Sequence, residues 1–382
     1  MAVNYALYQI ALYDDSGNRL AIIDDYRSLQ FQKKINDAGF FTLIIDYNDP
    51  KRELFVTDSI IQVKRKIPGV VDWYTEFEGH CENFNTNFYS NANYQYTVVG
   101  SGFNGLIGRP IIAYYETTAQ AAKNDASETV MKEYVLENAG ASATVANSRF
   151  ADSVIPNFLL QADSGNGDTW EGDRSGKNLL DVLNEIAKFS SIDFNVVTNG
   201  TVGNYIFNTY PDQLGDDRTT TGLDTSTGLN AAGNAPHIFS PERGNVQSSS
   251  FAERHRKEAN RVYAYGKGAG ITRNIRYREN AVAQAASVLN LREAMRGAGS
   301  QDTNQQLDDF ADEWLEKLQT VEKFEFTPLD IQSSLYGVHY FFGDKVTVKI
   351  GDTEANKRIV GVTISLASGK GESSKVLTFE DI

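Results

Sequence analysis

The sequence predicts a mainly β fold with α+β inserts: two small β-barrel domains in one chain, plus helical insertions. Three observations carry this. A strand pattern occurs twice, as TDSIIQVKRKIPGVVDWYTEFEGHCENF from Thr57 to Phe84 and as FGDKVTVKIGDTEANKRIVGVTISLAS from Phe342 to Ser368. Each copy has an Asp at a turn, a run ending in Val-Lys, a polar loop with its own Gly, and a second strand with a central Gly (Gly79, Gly361). Each continues into a third strand, Tyr94–Gly100 and Ser374–Asp381. Their period-two alternation marks half-buried strands joined as hairpins. The copies are one residue out of step between Asp and Val-Lys, an offset that a β-bulge absorbs. The third observation is compositional: 19 Tyr and 21 Phe against 3 Met favour aromatic strands over Leu/Met-rich helical bundles.

At 382 residues the chain has room for two or three domains and a substantial core. With 41% hydrophobic and 23% charged residues it reads as a soluble globular protein. A net charge of −14 argues against a nucleic-acid-binding surface as its main business. It is compatible with the wall of a channel through which nucleic acid slides without sticking. One cysteine, Cys81, rules out an intrachain disulfide framework or a multi-Cys metal site. No apolar stretch reaches the ~18 residues of a membrane helix. The N-terminus has no basic region before its apolar residues, so synthesis in the cytoplasm without a signal peptide is expected.

Along the chain, residues 1–100 read as strands: YALYQIALYDD, a turn in which Gly17 supplies positive φ, LAIID, SLQFQKKI, and GFFTLIID ending at NDP. Asp125 and Glu128 have capping-box spacing before a helix with Val130, Met131, Tyr134 and Val135 on one face and Gly140 as terminator. A second helix after Ser175 carries Leu179, Val182, Leu183 and Ile186. Ile192–Tyr210 reads as a hairpin around Asn199-Gly200. Residues 211–244, rich in Gly, Asp, Thr and Asn, read as a long surface loop of the kind a partner or a function orders. Strand returns at Ser248–Gly266. A helix capped by Thr303 and Gln306 then shows the stripe Leu307, Phe310, Ala311, Trp314, Leu315, Leu318. The second barrel is the surface expected to lie beneath that stripe, which makes Trp314→Ala cost ~3–5 kcal/mol.

No motif carries convincing catalysis. Gly100, Gly102 and Gly105 satisfy GxGxxG, but Pro110 follows within a turn and no acidic residue lies about 20 positions on; a strand exit with small residues is the better reading. SGKNLL (Ser175–Leu180) resembles the end of a phosphate loop, yet Glu171 replaces its Gly and Asn178 its Ser/Thr, so helix capping explains it. His80, His237, His255 and His339 are far apart in the chain and lack zinc spacing. The acidic pairs Asp14-Asp15, Asp24-Asp25, Asp216-Asp217 and Asp308-Asp309 read as solvated turns. The run Glu253–Glu279 interleaves Arg254, Arg256, Arg261, Arg273, Arg276 and Arg278 with Tyr263, Tyr265 and Tyr277. It suits a nucleic-acid groove, a subunit interface, or solvated strand faces. The expectation is therefore no catalytic, cofactor-binding or metal residue, and no enzyme.

The order of features has a resemblance. SLQFQKKINDAGFFTLIID, DSIIQVKR, YTVVGSGFNGLIGRPI, KNLLDVLNEIAKFSSIDFNV, ANRVYAYGKG and the C-terminal YFFGDKVTVKI…RIVGVTISLASGKGESSKVLTFED follow one another as in the hub proteins at the tail tip of siphoviruses. These are the ReqiPepy-type Gp-thirty-seven-like tail proteins, similar in turn to the central baseplate hub of contractile-tailed phages. The soft motifs are Gly102, Leu106, Arg109 after a strand, and Gly343, Asp344, Val346, Val348 near the end. The resemblance implies a homotrimer with two tube-like β-barrels per chain. It implies a pseudo-sixfold ring that adapts a hexameric tail tube to a threefold spike or fibre at the virion tail tip, assembled in the host cytoplasm. Implied partners are the tail tube or distal tail protein, the tape-measure protein and a central spike or fibre, with DNA passing transiently. The domains expected are a first tube-like barrel at 1–104, an α/β insertion at 105–190, and a second barrel at 191–382 that includes the 211–244 loop and a helical insertion at about 279–325. Aromatic strands and the long loop also suit a different class, a carbohydrate-binding or carbohydrate-degrading receptor-binding or tailspike protein.

Overall fold

The computed structural model describes residues 6–90, 94–113, 121–299, 303–319, 321–351, 353–369 and 371–381. The chain is mainly β, and it divides into two compact units: residues 1–248 with 326–382, and residues 249–325.

The first unit begins with β1 (Leu7–Tyr13), β2 (Arg19–Ile23), β3 (Tyr26–Lys34), β4 (Phe40–Asp46), β5 (Ile60–Ile67), β6 (Val71–Phe88) and β7 (Tyr94–Gly102). Alternation sorts their side chains: Phe41, Leu43 and Ile45 of β4 are buried, with polar or half-exposed residues between them. Gly17 does have positive φ, 83°, and a Cβ there would lie 1.8 Å from Val202 O. Next come α1 (Asn104–Ile107), β8 (Ala122–Ala126), α2 (Ser127–Asn138), β9 (Phe158–Leu160), β10 (Thr169–Asp173), α3 (Leu179–Ser190), β11 (Asp193–Thr198) and β12 (Tyr205–Tyr210). The expected stripes of α2 and α3 meet in one core, which Phe194 and Phe207 of the β11–β12 hairpin complete.

The capping box at Asp125 is corrected. Asp125 lies in β8, opposite Trp170, and α2 starts at Ser127 with no side-chain cap. Glu128 turns inward to Lys132, Thr209 and Asn166 instead. Asn178 caps α3 as expected, accepting from the Asp181 amide.

The long loop contains β13 (Asp217–Arg218) and β14 (Ile238–Phe239); β15 (Val246–Arg254) follows. The second unit holds β16 (Arg261–Tyr265), β17 (Ile275–Glu279), α4 (Ala281–Ala285), β18 (Glu293–Gly297) and α5 (Asn304–Lys317). Thr303 and Gln306 form the expected capping box. The surface beneath α5 differs from expectation. Its stripe packs on Val262 and Ala264 of the small β17-β16-β18 sheet, so the segment supplies its own core. Then come β19 (Val321–Pro328), β20 (Lys345–Ile350), β21 (Thr353–Ala367) and β22 (Gly371–Asp381).

One sheet contains both copies of the repeated pattern, in the order β15-β19-β22-β21-β3-β4-β7-β6-β5-β1-β2, with β20 on β21. Five strands are duplicated, not three. The run β3-β4-β7-β6-β5 matches β15-β19-β22-β21-β20, each with two strands first in the chain and a three-strand meander after. Among the described residues the pairings do not close into a ring.

The match is tightest at the turns. Asp58 N–H donates to Cys81 O (2.9 Å) as Gly343 N–H donates to Ile359 O (3.1 Å). Asp58 (φ 65°) and Gly343 (φ 96°) are both left-handed. This explains the one-residue offset: Gly343, not Asp344, is the counterpart of Asp58, and no bulge is needed there. It also corrects the pairing of Gly79 with Gly361. Single-residue bulges follow Cys81 and Ile359, at Glu82 and Val360, so Gly361 corresponds to Asn83.

Candidate functional site: the joint between the two copies

Antiparallel pairing of β3 with β21, from Ser28↔Ala367 to Lys34↔Gly361, joins the copies. Around it lies a buried polar network. Arg65 of β5 is 1% exposed in its side chain, and donates to Tyr8 Oη (2.9 Å), Tyr74 Oη (3.0 Å) and Tyr336 O (2.7 Å). Its charge faces Glu372 of β22 at 3.6 Å, which also accepts from Tyr8 Oη at 2.7 Å. Lys375 pairs with Asp330 (2.7 Å) and Glu372 (3.3 Å). Burial works against the Arg65 guanidinium, but Tyr8, Tyr74 and Glu372 outweigh it and hold it protonated. Burial likewise opposes the Glu372 carboxylate, and the charges of Lys375 and Arg65 push its pKa below the ordinary value.

A bulge brings a second carboxylate into this region. The register passes from Val63↔Phe77 to Lys64↔Thr75, which leaves Glu76 as the extra residue of β6 and buries it beside Phe77. Its Oε1 accepts from Tyr336 Oη (2.9 Å) and pairs with Lys33, whose ammonium sits 5.1 Å from the Phe342 ring centre and 5.6 Å from that of Tyr336. Its Oε2 finds no hydrogen-bond partner among the described residues. Lys33, Glu76, Phe194 and Phe342 line a cavity of about 390 Å³. Desolvating this many charges adds little net stability, but removing any one strands its partner. The network spans the joint, tying Arg65 and Glu76 of the first copy to Tyr336 and Glu372 of the second.

The turn residues are tied down as well. Arg109 reaches Asp58 Oδ1 at 2.7 Å, while Gly102 lies where a Cβ would press on Ala38 O at 2.5 Å and Leu106 is buried. In the second copy a Cβ on Gly343 would lie 2.1 Å from Leu214 O. Buried Asp344 accepts from Asp216 N, Phe341 N and Arg218 Nε, each at 2.8 Å. The 211–244 loop is thereby held along β20, where β13 and β14 pair in parallel. Arg109 of the first soft motif and Gly343 of the second thus lie at equivalent turns.

The other residues singled out in the sequence do not converge. Gly100 and Gly105 are packing positions: a Cβ would meet His80 O at 1.8 Å or Ser101 Oγ at 2.2 Å. His80 contacts Asp58 O, His237 contacts Ser334, His339 accepts from Leu335 N, and His255 contacts Glu258. Among the described residues no three His, Cys, Asp or Glu groups are placed to hold a metal ion. Cys81 is buried, and burial pushes its thiol up to about 12. Asp14 caps its own turn and Asp308 pairs with Arg276. Within the basic run, Arg261 pairs with Glu279 and Glu293, and Arg278 with Asp308 and Asp312. Those cations are answered inside their own unit, as on a solvated strand face. Arg65, Glu76, Lys375 and Glu372 were missed because alternation marks them as ordinary strand polar residues; two consecutive buried residues at Glu76–Phe77 are the trace of the bulge.

No helix among the described residues is long and apolar enough to cross a membrane. Residues 9–376 match the family described as Siphovirus ReqiPepy6 Gp37-like protein. No curated protein matches. Among solved structures, the fold is similar to the 43 kDa tail protein of prophage MuSo2 from Shewanella oneidensis (TM-score 0.57, 13% identity, 98% of each chain). It is also similar to the tail protein from Neisseria meningitidis MC58 (0.56, 10%, 98% of this chain and 97% of that one). Prophage tail protein gp18 from Listeria monocytogenes is comparable (0.53, 9%, 97% and 94%).

Proposed function

Because this chain belongs to the Siphovirus ReqiPepy6 Gp37-like protein family, a family of phage tail proteins, we propose that it is the hub of a tail tip. Three copies form a pseudo-sixfold ring that adapts a hexameric tail tube to a threefold spike or fibre, and the ring is part of the channel through which DNA leaves. The observation that carries this reading is the duplicated five-strand order, down to equivalent turns and bulges. A chain that builds one motif twice presents six similar motifs in a trimer. In this reading each copy curls into a tube-like barrel within the ring, one inside 1–104 and the other inside 191–382, and residues 105–190 lie outside it. The tail tube or distal tail protein, the tape-measure protein and the spike are the partners, and the role is structural rather than enzymatic. The −14 net charge suits a lumen that releases DNA.

Negative-stain electron microscopy of the purified chain at high concentration tests this. Threefold rings with a central hole are expected. Persistent monomers that bind or cleave host-surface glycans would favour the carbohydrate-binding class instead.

A further inference from the structure

Among the described residues the internal repeat leaves two strand edges open, and each copy shows what the other lacks. In the second copy, one edge of β21 is occupied along its length: β20 pairs Thr353–Arg358, and β3 continues along Gly361–Ala367, with β22 on the opposite edge. In the first copy, β5 pairs with β6 only as far as Ile60↔His80, the counterpart of Lys345↔Arg358. β7 runs along the opposite edge of β6 as far as Phe88. Among the described residues, no strand continues β5 along Asn83–Phe88. Those residues stand where Gly361–Leu366 stand in the second copy, the stretch that β3 covers. The counterpart of β3 is β15, which among the described residues ends the sheet with β19 as its single neighbour.

We infer that β15 of one chain pairs antiparallel with Asn83–Phe88 of β6 in a second copy of this chain, repeating between chains the β3–β21 joint found within each. The inference rests on the ring reading and names the edges that build the ring. An unpaired edge is a row of unmatched N–H and C=O groups, and the repeat supplies two such edges, one on the counterpart of β3 and one on the counterpart of the β21 stretch that β3 covers. The contact is heterologous, so it propagates head to tail and closes when the rotation divides the circle. The side chains of the open stretch suit a surface exposed before assembly and covered after it. Asn83, Asn85, Thr86 and Asn87 are polar and exposed, and Phe88 is 62% exposed at the tip.

Hydrogen exchange read by mass spectrometry, on wild-type chain before and after assembly, tests this. Peptides spanning 83–88 and 246–254 are expected to slow by roughly tenfold or more together on assembly. Assembly without protection at both segments overturns the inference and leaves the ring reading standing. A chain that stays monomeric even with its tail-tube partner overturns both. A paired substitution gives a second readout. Successive backbone N–H groups of a strand point to opposite edges, so of Asn85→Pro and Thr86→Pro one removes a donor toward β7 and the other a donor toward the open edge. One of the two is expected to melt like wild type and fail to assemble. If both assemble normally, the inference is wrong.

Discussion

Cys81 and Ile359 hold the same station in the two copies of the repeat. The amide of Cys81 donates to Ser59 O at 2.8 Å and that of Ile359 to Asp344 O at 2.9 Å, and a single-residue bulge follows each. One is a buried thiol and the other a buried aliphatic, with no side-chain chemistry in common. Backbone geometry is what the repeat preserves.

The left-handed turn residues should therefore respond differently to substitution. Gly343→Ala places a Cβ against Leu214 O and forces an unfavourable φ, a cost of ~2–4 kcal/mol. Asp58→Gly relieves the same φ but loses the contact with Arg109, so the net change stays within ~1 kcal/mol. Urea unfolding of the two variants measures the contrast; equal losses would refute the equivalence.

At the joint, Arg65→Met should cost ~3–5 kcal/mol, because it removes one of the two cations facing Glu372 and leaves Tyr8 Oη, Tyr74 Oη and Tyr336 O without their buried donor. Adding Glu372→Gln should restore part of the loss. Single and double variants that unfold at the same urea concentration would show that the two charges are not coupled.

Acid should weaken the fold through His237. Burial pushes this imidazole down to about 3, and the charges of His339, Arg218 and Arg243 add to the shift. On acidification the unfolded chain takes up the proton first, near 6.5, so stability drains from about pH 6.5 until the folded group titrates near 3. Glu128 adds a lower window. Burial raises its pKa, but hydrogen bonds from Lys132, Asn166 and Thr209 outweigh this and hold it at about 2, so its contribution is present above 4.5 and fades as the pH falls toward 2. Melting temperatures recorded against pH should fall below about pH 6.5, and His237→Phe should flatten the upper part of that curve.

In the inserted unit, Leu307→Ala should cost ~2–4 kcal/mol, since Leu307 is fully buried against the small sheet. Trp314 is half-exposed, its ring flanked by Arg296 and Lys317 at 4.7 and 5.3 Å. Trp314→Ala is thus expected at ~1–3 kcal/mol, below the value for a core position. Thermal melting that ranked the tryptophan variant as the less stable would contradict the packing described.

Much of this was legible in the sequence because it is local. Alternation located the strands of the first copy and the three-strand meander of the second, but not β19, whose first residues fell inside the expected helical insertion; Thr303 and Asn178 marked helix starts, and the stripes of α2, α3 and α5 named their buried faces. The duplication itself was visible, since two meanders with the same turn chemistry leave similar patterns. The tertiary structure decided what locality does not encode. The partner of β21 is β3, more than three hundred residues away, and hydrogen bonds along a strand edge carry no side-chain signature by which to find it. Asp125 had cap spacing but was claimed by a strand pairing, and Glu76 became a buried carboxylate through a bulge in β6. Asp58 could be matched to Gly343 only through backbone bonds, because a left-handed turn constrains φ and not the residue's name.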